Sequence, residues 1–312
     1  MAAHLPTQVA IRDVGPRDGL QPEAPIAVED RALLVDALIA AGVHRIEVAA
    51  FVSPKAVPAM AGAAEVVAAV PPRPGLVRAA LVPNRRGAED AVAAGIDEVT
   101  VTISASEAYN QRNVKMSTAA SEAEIAAIVA VAGRADHERG IPVDAVISCA
   151  FGSPYEGEIA PADVATLAHR LLGAGVTSIT LADTTGMATP RRIDDVLDAS
   201  AAETGSLEPS QLGLHLHDTR GTALVNTYRA LERGVARFDT SVGGLGGSPF
   251  AHGAGGNLAT EGLVAMLDDL GVRTGISIDA LIDAAALVER LVGRPVPSPV
   301  AHHGPRDRRP VA

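Results

Sequence analysis

Two histidines stand two residues apart, His215 and His217, and they alternate with Leu214 and Leu216. An alternation of period two is typical of a β-strand, so both imidazole rings are predicted to point to the same side. Asp218 follows directly. Two ring nitrogens on one side of a strand could bind a divalent metal, and the alternative is a pair of hydrogen-bonded histidines in a barrel core. The spacing alone leaves both readings open.

Acidic and basic residues also stand at or near the ends of other predicted strands. Residues 13–21 place Arg17 and Asp18 beside a tight turn, and Asp183 closes an apolar run. Glu47 lies between Ile and Val inside another run. Because burial of an unpaired carboxylate is costly, Glu47 needs a partner or a role. A salt bridge to Arg17 and a direct part in catalysis are both consistent with the sequence.

A glycine-rich segment covers residues 243–257, in which seven of 15 residues are glycine. It follows the last predicted strand, so we expect it to form a mobile lid rather than a simple linker. Asn257 ends the segment just before a helix. Its side chain could cap that helix, or its amide oxygen could complete a metal site.

Together, Asp18, His215, His217 and Asn257 offer two oxygens and two nitrogens. They come from the first, seventh and eighth predicted strands, which are neighbours once a barrel closes. A set of oxygen and nitrogen ligands without a thiolate suits six-coordinate Mg²⁺ or Mn²⁺ with positions left for substrate oxygens. With only one cysteine in the chain, a structural zinc site is not expected.

The elements that must position these side chains alternate along the chain. Segments of helical period separate short β-branched runs, and several helices end in a glycine, which accepts the left-handed backbone of a helix end. Eight strands, each followed by a helix, predict an α/β fold of the (β/α)8 TIM-barrel class, with a doubly wound sheet as the competitor. The predicted strands are 9–14, 44–50, 77–82, 98–103, 143–149, 178–182, 212–217 and 238–242.

The domain organisation follows from this pattern. Residues 1–275 are predicted to form the catalytic barrel, and residues 276–294 to form a region with an additional C-terminal cap helix over 279–292. Residues 295–312 are rich in Pro, Arg and His and are predicted to be a disordered tail.

Composition restricts the class of protein. The net charge of −11 argues against nucleic acid or an anionic membrane as partners. The single cysteine, Cys149, excludes an internal disulfide, as expected in a reducing compartment. No signal peptide and no apolar run of membrane-spanning length is found in the sequence. We therefore expect a cytoplasmic protein with a core of Ala, Val, Leu and Ile.

Long motifs across the chain resemble those of the 3-hydroxy-3-methylglutaryl-CoA lyase family. This family is a branch of a metal-dependent TIM-barrel superfamily of lyases and synthases. The likeness extends from about residue 9 to about residue 292. Two of the motifs, Phe-Val-Ser-Pro-Lys and Gly-Leu-Gly-Gly-x-Pro, favour the lyases over the synthases. The motifs are residues 14–23, 46–58, 81–84, 153–157, 215–219, 244–251 and 256–261.

The resemblance implies divalent-metal-dependent retro-Claisen cleavage of a 3-hydroxy-3-methylglutaryl-CoA-type thioester to acetyl-CoA and acetoacetate, or a related 3-oxo acid. It implies an acyl-CoA substrate, Mg²⁺ or Mn²⁺, a role in leucine degradation, and a homodimer as one oligomeric state. The implied metal ligands are Asp18, His215, His217 and Asn257. The implied catalytic residues are Arg17, which stabilises the enolate, Glu47, Asp183, His215 and Ser248. The implied substrate-binding residues are Arg17, Gln21, Thr180, Thr184, Gly246 and Gly247.

Three positions depart from the family pattern. Ser248 stands where the family has a catalytic cysteine, and a hydroxyl is far less acidic than a thiol. Ala50 and Thr180 each stand where a serine is common. These departures leave open a lyase for a different 3-hydroxyacyl-CoA. A Claisen-type synthase has less support because no regulatory domain is seen after Val292, and a non-catalytic barrel would be expected to lose metal ligands.

Overall fold

The computed structural model describes residues 5–134, 140–205, 207–247 and 255–306. Its eight strands are parallel and close into a barrel in chain order, with β1 paired to both β2 and β8. The predicted (β/α)8 barrel is therefore confirmed, and the doubly wound sheet is excluded. The strands are β1 Ala10–Asp13, β2 Arg45–Ala50, β3 Val77–Leu81, β4 Glu98–Ser104, β5 Val143–Ser148, β6 Ser178–Asp183, β7 Leu212–Leu216 and β8 Arg237–Thr240.

Each strand is followed by at least one helix, and β4 is followed by two. Within the described residues, two further helices come after the eighth repeat. The helices are α1 Val28–Ala40, α2 Ala63–Ala69, α3 Arg85–Ala93, α4 Glu107–Asn113, α5 Thr118–Ala132, α6 Pro161–Gly173, α7 Pro190–Thr204, α8 Ala223–Glu232, α9 Thr260–Asp269, α10 Ile278–Val292 and α11 Pro299–His303.

Local sequence explains where the helices begin and end. The Asn84 side chain accepts a hydrogen bond from the backbone N–H of Gly87 and starts α3, and Thr189 does the same for α7, where Pro190 takes the first position. After α1, Gly42 adopts a φ of 96°, and a Cβ there would lie 2.6 Å from the Gly275 oxygen. Glycine at this step is therefore required by both conformation and space.

The apolar core lies between the strands and the surrounding helices, where Leu34 and Leu38 of α1 are fully buried. The barrel interior differs, because charged side chains fill much of it. We call this group the interior network; its members are Arg12, Arg45, Glu98, Asp144, Arg237 and Asp239. The predicted core of Ala, Val, Leu and Ile is therefore found between the strands and the helices. The charged residues of the interior network were not predicted.

The C-terminal segments pack against the side of the barrel. Helix α10 lies outside the eight repeats, as predicted, and contacts α1 and α9. The prediction of a disordered tail over 295–312 is wrong for its first part, which contains α11. Val296 is buried, and the Ser298 amide donates to the Gly243 oxygen at 3.2 Å, so this segment is anchored to the loop after β8. Residues 307–312 lie outside the described residues.

Among the described residues, none of the helices combines the length and the apolar character that a membrane-spanning helix requires.

Candidate active site

The turn after β1 carries two of the predicted site residues, Arg17 and Asp18. This turn, Gly15–Gly19, is a single wide helical turn that begins where Gly15 N donates to Asp13 Oδ1 at 2.7 Å. Gly19 approaches the end of β8 closely, because a Cβ there would lie 2.6 Å from Ser241 Oγ. The turn therefore packs closely against the end of β8 and holds Asp18 at the rim of the barrel, at the carboxyl ends of the strands.

The two histidines approach the same point from β7 and the residue that follows it. Their Nε2 atoms lie 3.2 Å apart, and the ring of His215 also contacts Asp239 through Nδ1 at 3.3 Å. Both side chains are buried. The single-side arrangement expected from the period-two alternation is therefore present, with both Nε2 atoms facing one space.

Asn257 reaches this space from the end of the glycine-rich segment. Its backbone bridges to that of His217, and its Nδ2 donates to Asp18 Oδ2 at 2.8 Å and to the Leu245 oxygen at 2.9 Å. Its Oδ1 is buried and has no hydrogen-bond partner among the described residues. A buried amide oxygen without a partner is costly, so this atom is suited to receive a ligand.

These residues form one candidate cation site. Donor atoms of Asp18, His215 and His217 all lie within 4.8 Å of one another. The free Oδ1 of Asn257 is a fitting fourth donor, since Asn257 also holds Asp18. The set of oxygen and nitrogen donors fits a divalent cation such as Mg²⁺ or Mn²⁺.

The electrostatics of the site favour a cation. Burial raises the pKa of Asp18, but the charge of Arg17 and then of His215 more than offset this, so the pKa lies below its ordinary value. Burial and the neighbouring His215 lower the pKa of His217 to about 4, which leaves its imidazole neutral at pH 7 and able to bind a metal.

Arg17 lies beside the cation site and is fixed on two sides. Its Nε donates to Glu47 Oε2, and its Nη1 donates to Asp18 Oδ1 at 2.7 Å, with a weaker contact to Gln21 Oε1 at 3.5 Å. The buried Glu47 Oε1 has no partner among the described residues. The salt bridge between Glu47 and Arg17, one of the two readings of the sequence, is therefore present, and it leaves one buried carboxylate oxygen without a partner among the described residues.

Strand β6 and the residue that follows it bring three further predicted residues. Asp183 Oδ1 accepts the Met187 amide at 2.7 Å, whereas its buried Oδ2 has no partner in the described part of the chain. Burial raises the pKa of Asp183 to about 6. Thr184 Oγ1 accepts the Cys149 amide at 3.0 Å. Thr180 donates to Asp144 Oδ2 at 2.8 Å, so its hydroxyl is engaged with the interior network.

The described start of the glycine-rich segment packs against Asn257 at Gly246. A Cβ at Gly246 would lie 2.4 Å from Asn257 Nδ2, and φ is 112° at Gly246 and 135° at Gly247, which only glycine adopts readily. Ser248 lies outside the described residues. The lid function and the role of Ser248 stay predictions.

A cleft of about 650 Å³ lies between the segments that follow β2 and β3, and it runs along α3 from Asn84 at its start to Ala94 at its end. Its lining includes Phe51, Ser53, Pro83, Asn84 and Arg86. The cleft was not predicted from the sequence. The motifs 46–58 and 81–84 contain most of these residues, so their joint position after neighbouring strands could have indicated it.

Comparison with known proteins identifies relatives over almost the whole chain. The family model described as HMGL-like matches residues 8–288. A protein from Pseudomonas aeruginosa named 3-hydroxy-3-isohexenylglutaryl-CoA/hydroxy-methylglutaryl-CoA lyase is 43% identical over 292 residues, covering 93% of this chain and 95% of the relative. The mitochondrial hydroxymethylglutaryl-CoA lyase of Macaca fascicularis is 44% identical over 298 residues, covering 95% and 90%.

Solved structures give the same result. An HMG-CoA lyase from Acinetobacter baumannii, in complex with coenzyme A and 3-methylmalate, superposes with a TM-score of 0.91. It is 37% identical, and the match covers 98% of both chains.

Proposed function

The chain belongs to the HMGL-like family and is a carbon–carbon lyase of the hydroxymethylglutaryl-CoA lyase type, and from this premise we propose how its residues carry out the reaction. The proposed reaction is retro-Claisen cleavage of 3-hydroxy-3-methylglutaryl-CoA, or a closely related thioester, to acetyl-CoA and a 3-oxo acid. The observation that carries the proposal is the convergence of Asp18, His215 and His217 donors within 4.8 Å beside the Arg17–Glu47 pair.

Asp18, His215, His217 and Asn257 would hold a divalent cation, and Mg²⁺ or Mn²⁺ fits their donor set. When bound, the cation would supply a Lewis acid that polarises substrate oxygens and lowers the pKa of the tertiary hydroxyl.

Asp183 is our preferred base for the hydroxyl proton. The alternative, His215, has Nδ1 directed at Asp239 and Nε2 directed at the cation site, so neither nitrogen is free to accept a proton. Asp183 has a free Oδ2, and with a pKa of about 6 it is largely ionised at neutral pH. Proton transfer to a positioned carboxylate of this kind is general base catalysis.

Arg17 would stabilise the enolate oxygen. As the proton leaves the hydroxyl, the C2–C3 bond breaks, its electron pair moves to the thioester as an enolate, and the hydroxyl carbon becomes a ketone. The guanidinium of Arg17 is fixed by Glu47 and Asp18 before the substrate arrives, so little reorganisation is needed. Fixed donors of this type contribute about 3–4 kcal/mol in comparable oxyanion sites.

Ser248 is proposed to occupy the place of the donor that protonates the enolate carbon. Its hydroxyl is a weaker acid than the family's thiol, so we expect Ser248→Cys to raise the cleavage rate of hydroxymethylglutaryl-CoA. The measurement is acetyl-CoA release at saturating substrate. An unchanged rate would indicate that the site is adapted to another substrate.

The coenzyme A arm of the substrate is proposed to lie in the cleft that contains Phe51, Ser53 and Arg86. Support comes from its position after β2, the strand that carries Glu47, and from its volume of about 650 Å³. The coenzyme A seen in the Acinetobacter baumannii lyase supports an acyl-CoA substrate for this chain.

A second candidate is a lyase that prefers a different 3-hydroxyacyl-CoA, which Ala50, Ser248 and the name of the Pseudomonas aeruginosa relative favour. The deciding experiment is a panel of 3-hydroxyacyl-CoA thioesters with Mg²⁺ or Mn²⁺, following acetyl-CoA release. If kcat/KM is highest with hydroxymethylglutaryl-CoA, the first candidate is supported. If the protein cleaves none of the thioesters, both candidate functions are contradicted. A role in leucine degradation, a cytoplasmic location and a homodimer are further proposals that the family likeness supports.

A further inference from the structure

Within the described part of the chain, the interior network contacts the cation site through Asp239. His215 and Asp239 are register partners on β7 and β8, and both side chains point into the barrel. The Nδ1 atom of His215 lies 3.3 Å from Asp239 Oδ2, on the opposite side of the ring from the Nε2 atom that faces His217. The ring therefore stands between a carboxylate and the space where the donors converge.

Asp239 is itself held firmly. Arg12 Nε donates to Oδ1 at 2.8 Å and Arg12 Nη2 donates to Oδ2 at 2.7 Å, a two-pronged contact that fixes the plane of the carboxylate. Arg12 in turn contacts Glu98 at 3.2 Å and Asp144 at 2.9 Å. All of these side chains are buried, so Asp239 has little freedom to turn away from His215.

We infer that Asp239 is a positioning residue for His215, and that Arg12 fixes it in this role. By accepting the Nδ1 proton, Asp239 selects the tautomer of His215 that has a free lone pair on Nε2, and it holds the ring so that this lone pair faces the cation site. A carboxylate behind a metal-binding histidine commonly has this effect on tautomer and orientation. The inference rests on the proposed function only in requiring that the chain bind a divalent cation.

Asp144 provides a matched control within the same network. It is also a buried aspartate, it also pairs with Arg12, and its other oxygen pairs with Arg237 at 2.8 Å. Among the described residues, its hydrogen-bond and ion-pair partners include neither His215 nor His217. Asp144→Asn and Asp239→Asn therefore remove the same charge from the same network. Only the second change alters the atom that faces His215 Nδ1.

The first experiment measures Mn²⁺ binding to the metal-free full-length variants by the electron paramagnetic resonance signal of free Mn²⁺. We expect Asp239→Asn to weaken Mn²⁺ binding about 10- to 100-fold, the usual effect of losing such a partner. We expect Asp144→Asn to change it less than about threefold. Equal weakening in both variants, or none in Asp239→Asn, would overturn the inference.

The second experiment needs no substitution at Asp239 and decides the question if that variant does not fold. The metal-free parent is labelled with ¹⁵N-histidine, and the ring of His215 is assigned from the His215→Gln variant. At about pH 9, where an ordinary histidine is neutral, we expect the proton on Nδ1. A proton on Nε2 would overturn the inference, whereas Mn²⁺ binding without thioester cleavage would instead contradict the proposed function.

Discussion

The interior network and the rim site are two groups of polar residues in one barrel, and they differ in whether the oxygens of their acidic side chains have partners. The rim site comprises the cation-site residues together with Arg17, Glu47 and Asp183. In the interior network, both oxygens of Glu98, of Asp144 and of Asp239 contact an arginine. At the rim, Glu47 and Asp183 each keep one buried oxygen without a partner among the described residues. Unsatisfied acceptors in a buried place mark positions that a ligand can complete.

The pKa values of the buried aspartates show the same difference between the interior network and the rim site. Burial alone would raise the pKa of Asp144, but the charges of Arg237 and Arg12 lower it to about 2, and the pKa of Asp239 is also lowered. Asp183 forms no salt bridge with an arginine among the described residues, and burial raises its pKa to about 6. The interior network is thus balanced at neutral pH, whereas the rim holds a group that can exchange a proton near neutral pH.

The largest effect is expected from a change at the rim. His215→Ala removes one donor of the cation site, and a loss of about 5 kcal/mol of transition-state stabilisation would lower kcat/KM by roughly 10⁴-fold. Asp239 would still pair with Arg12, so the fold is expected to persist. Acetyl-CoA release and circular dichroism provide the measurements, with His169→Ala, at an exposed position on α6, as the control. Comparable turnover by both variants would refute the role of His215.

The next largest effect is expected in the interior network, where a substitution should lower the free energy of unfolding. Arg12→Met leaves Asp239 and part of the charge of Glu98 and Asp144 buried without a cation, which costs about 3–5 kcal/mol. Urea unfolding at pH 7 measures this loss. The exposed pair Arg73–Asp36 offers a contrast, because Arg73→Met is expected to cost less than about 1 kcal/mol.

The pH dependence gives a further check on Arg12→Met. Because the pKa values of Asp144 and Asp239 are lowered in the folded parent, their stabilising effect is present above about pH 4 and is lost as the pH falls toward 2. The stability difference between parent and variant should therefore shrink on acidification. A difference that stays constant from pH 7 to pH 3 would contradict the charge balance described above.

The fold and much of the rim site could be predicted because their signals are local. Period-two alternation placed His215 and His217 on one side, and glycine at helix ends separated the repeats. The position of Asp18 beside them required only that the first and last strands meet when the barrel closes.

The interior network was missed because its partners are distant along the chain: Arg12 and Asp239 are 227 residues apart. A charged residue in one predicted strand does not reveal which other strand carries its oppositely charged partner. A signal was nevertheless present, since predicted strands contained Arg12, Arg45, Glu98, Asp144 and Asp239, and a buried charge requires an opposite charge. Thr180 illustrates the consequence, because it was predicted to bind substrate and its hydroxyl contacts Asp144 and Arg237.

A smaller effect on catalysis is expected at Asp183. Asp183→Asn keeps an oxygen for the Met187 amide but removes the base, so kcat should fall about 100-fold at neutral pH. In the parent, the rate should rise with pH through about 6, as Asp183 loses its proton, and the variant should lack this rise. Asp194→Asn, at a half-buried position on α7, serves as the control. An unchanged pH profile in Asp183→Asn would assign the base to another group.

The smallest effect is expected on KM when Arg86, a residue of the cleft, is replaced. This substitution tests whether an unpaired charge also marks a ligand position outside the cation site. Arg86 lines the cleft and makes no ion pair with the described residues, whereas its neighbour Arg85 pairs with Glu89 at 2.9 Å. If Arg86 contacts the coenzyme A arm, Arg86→Ala should raise KM about fivefold, equivalent to about 1 kcal/mol, and leave kcat unchanged because the contact is the same in substrate and transition state. Arg85→Ala should change KM less than about twofold, since an exposed ion pair contributes little. Equal KM values in the two variants would place the coenzyme A arm elsewhere. An unpaired charge would then mark a ligand position only inside the barrel and not in the cleft.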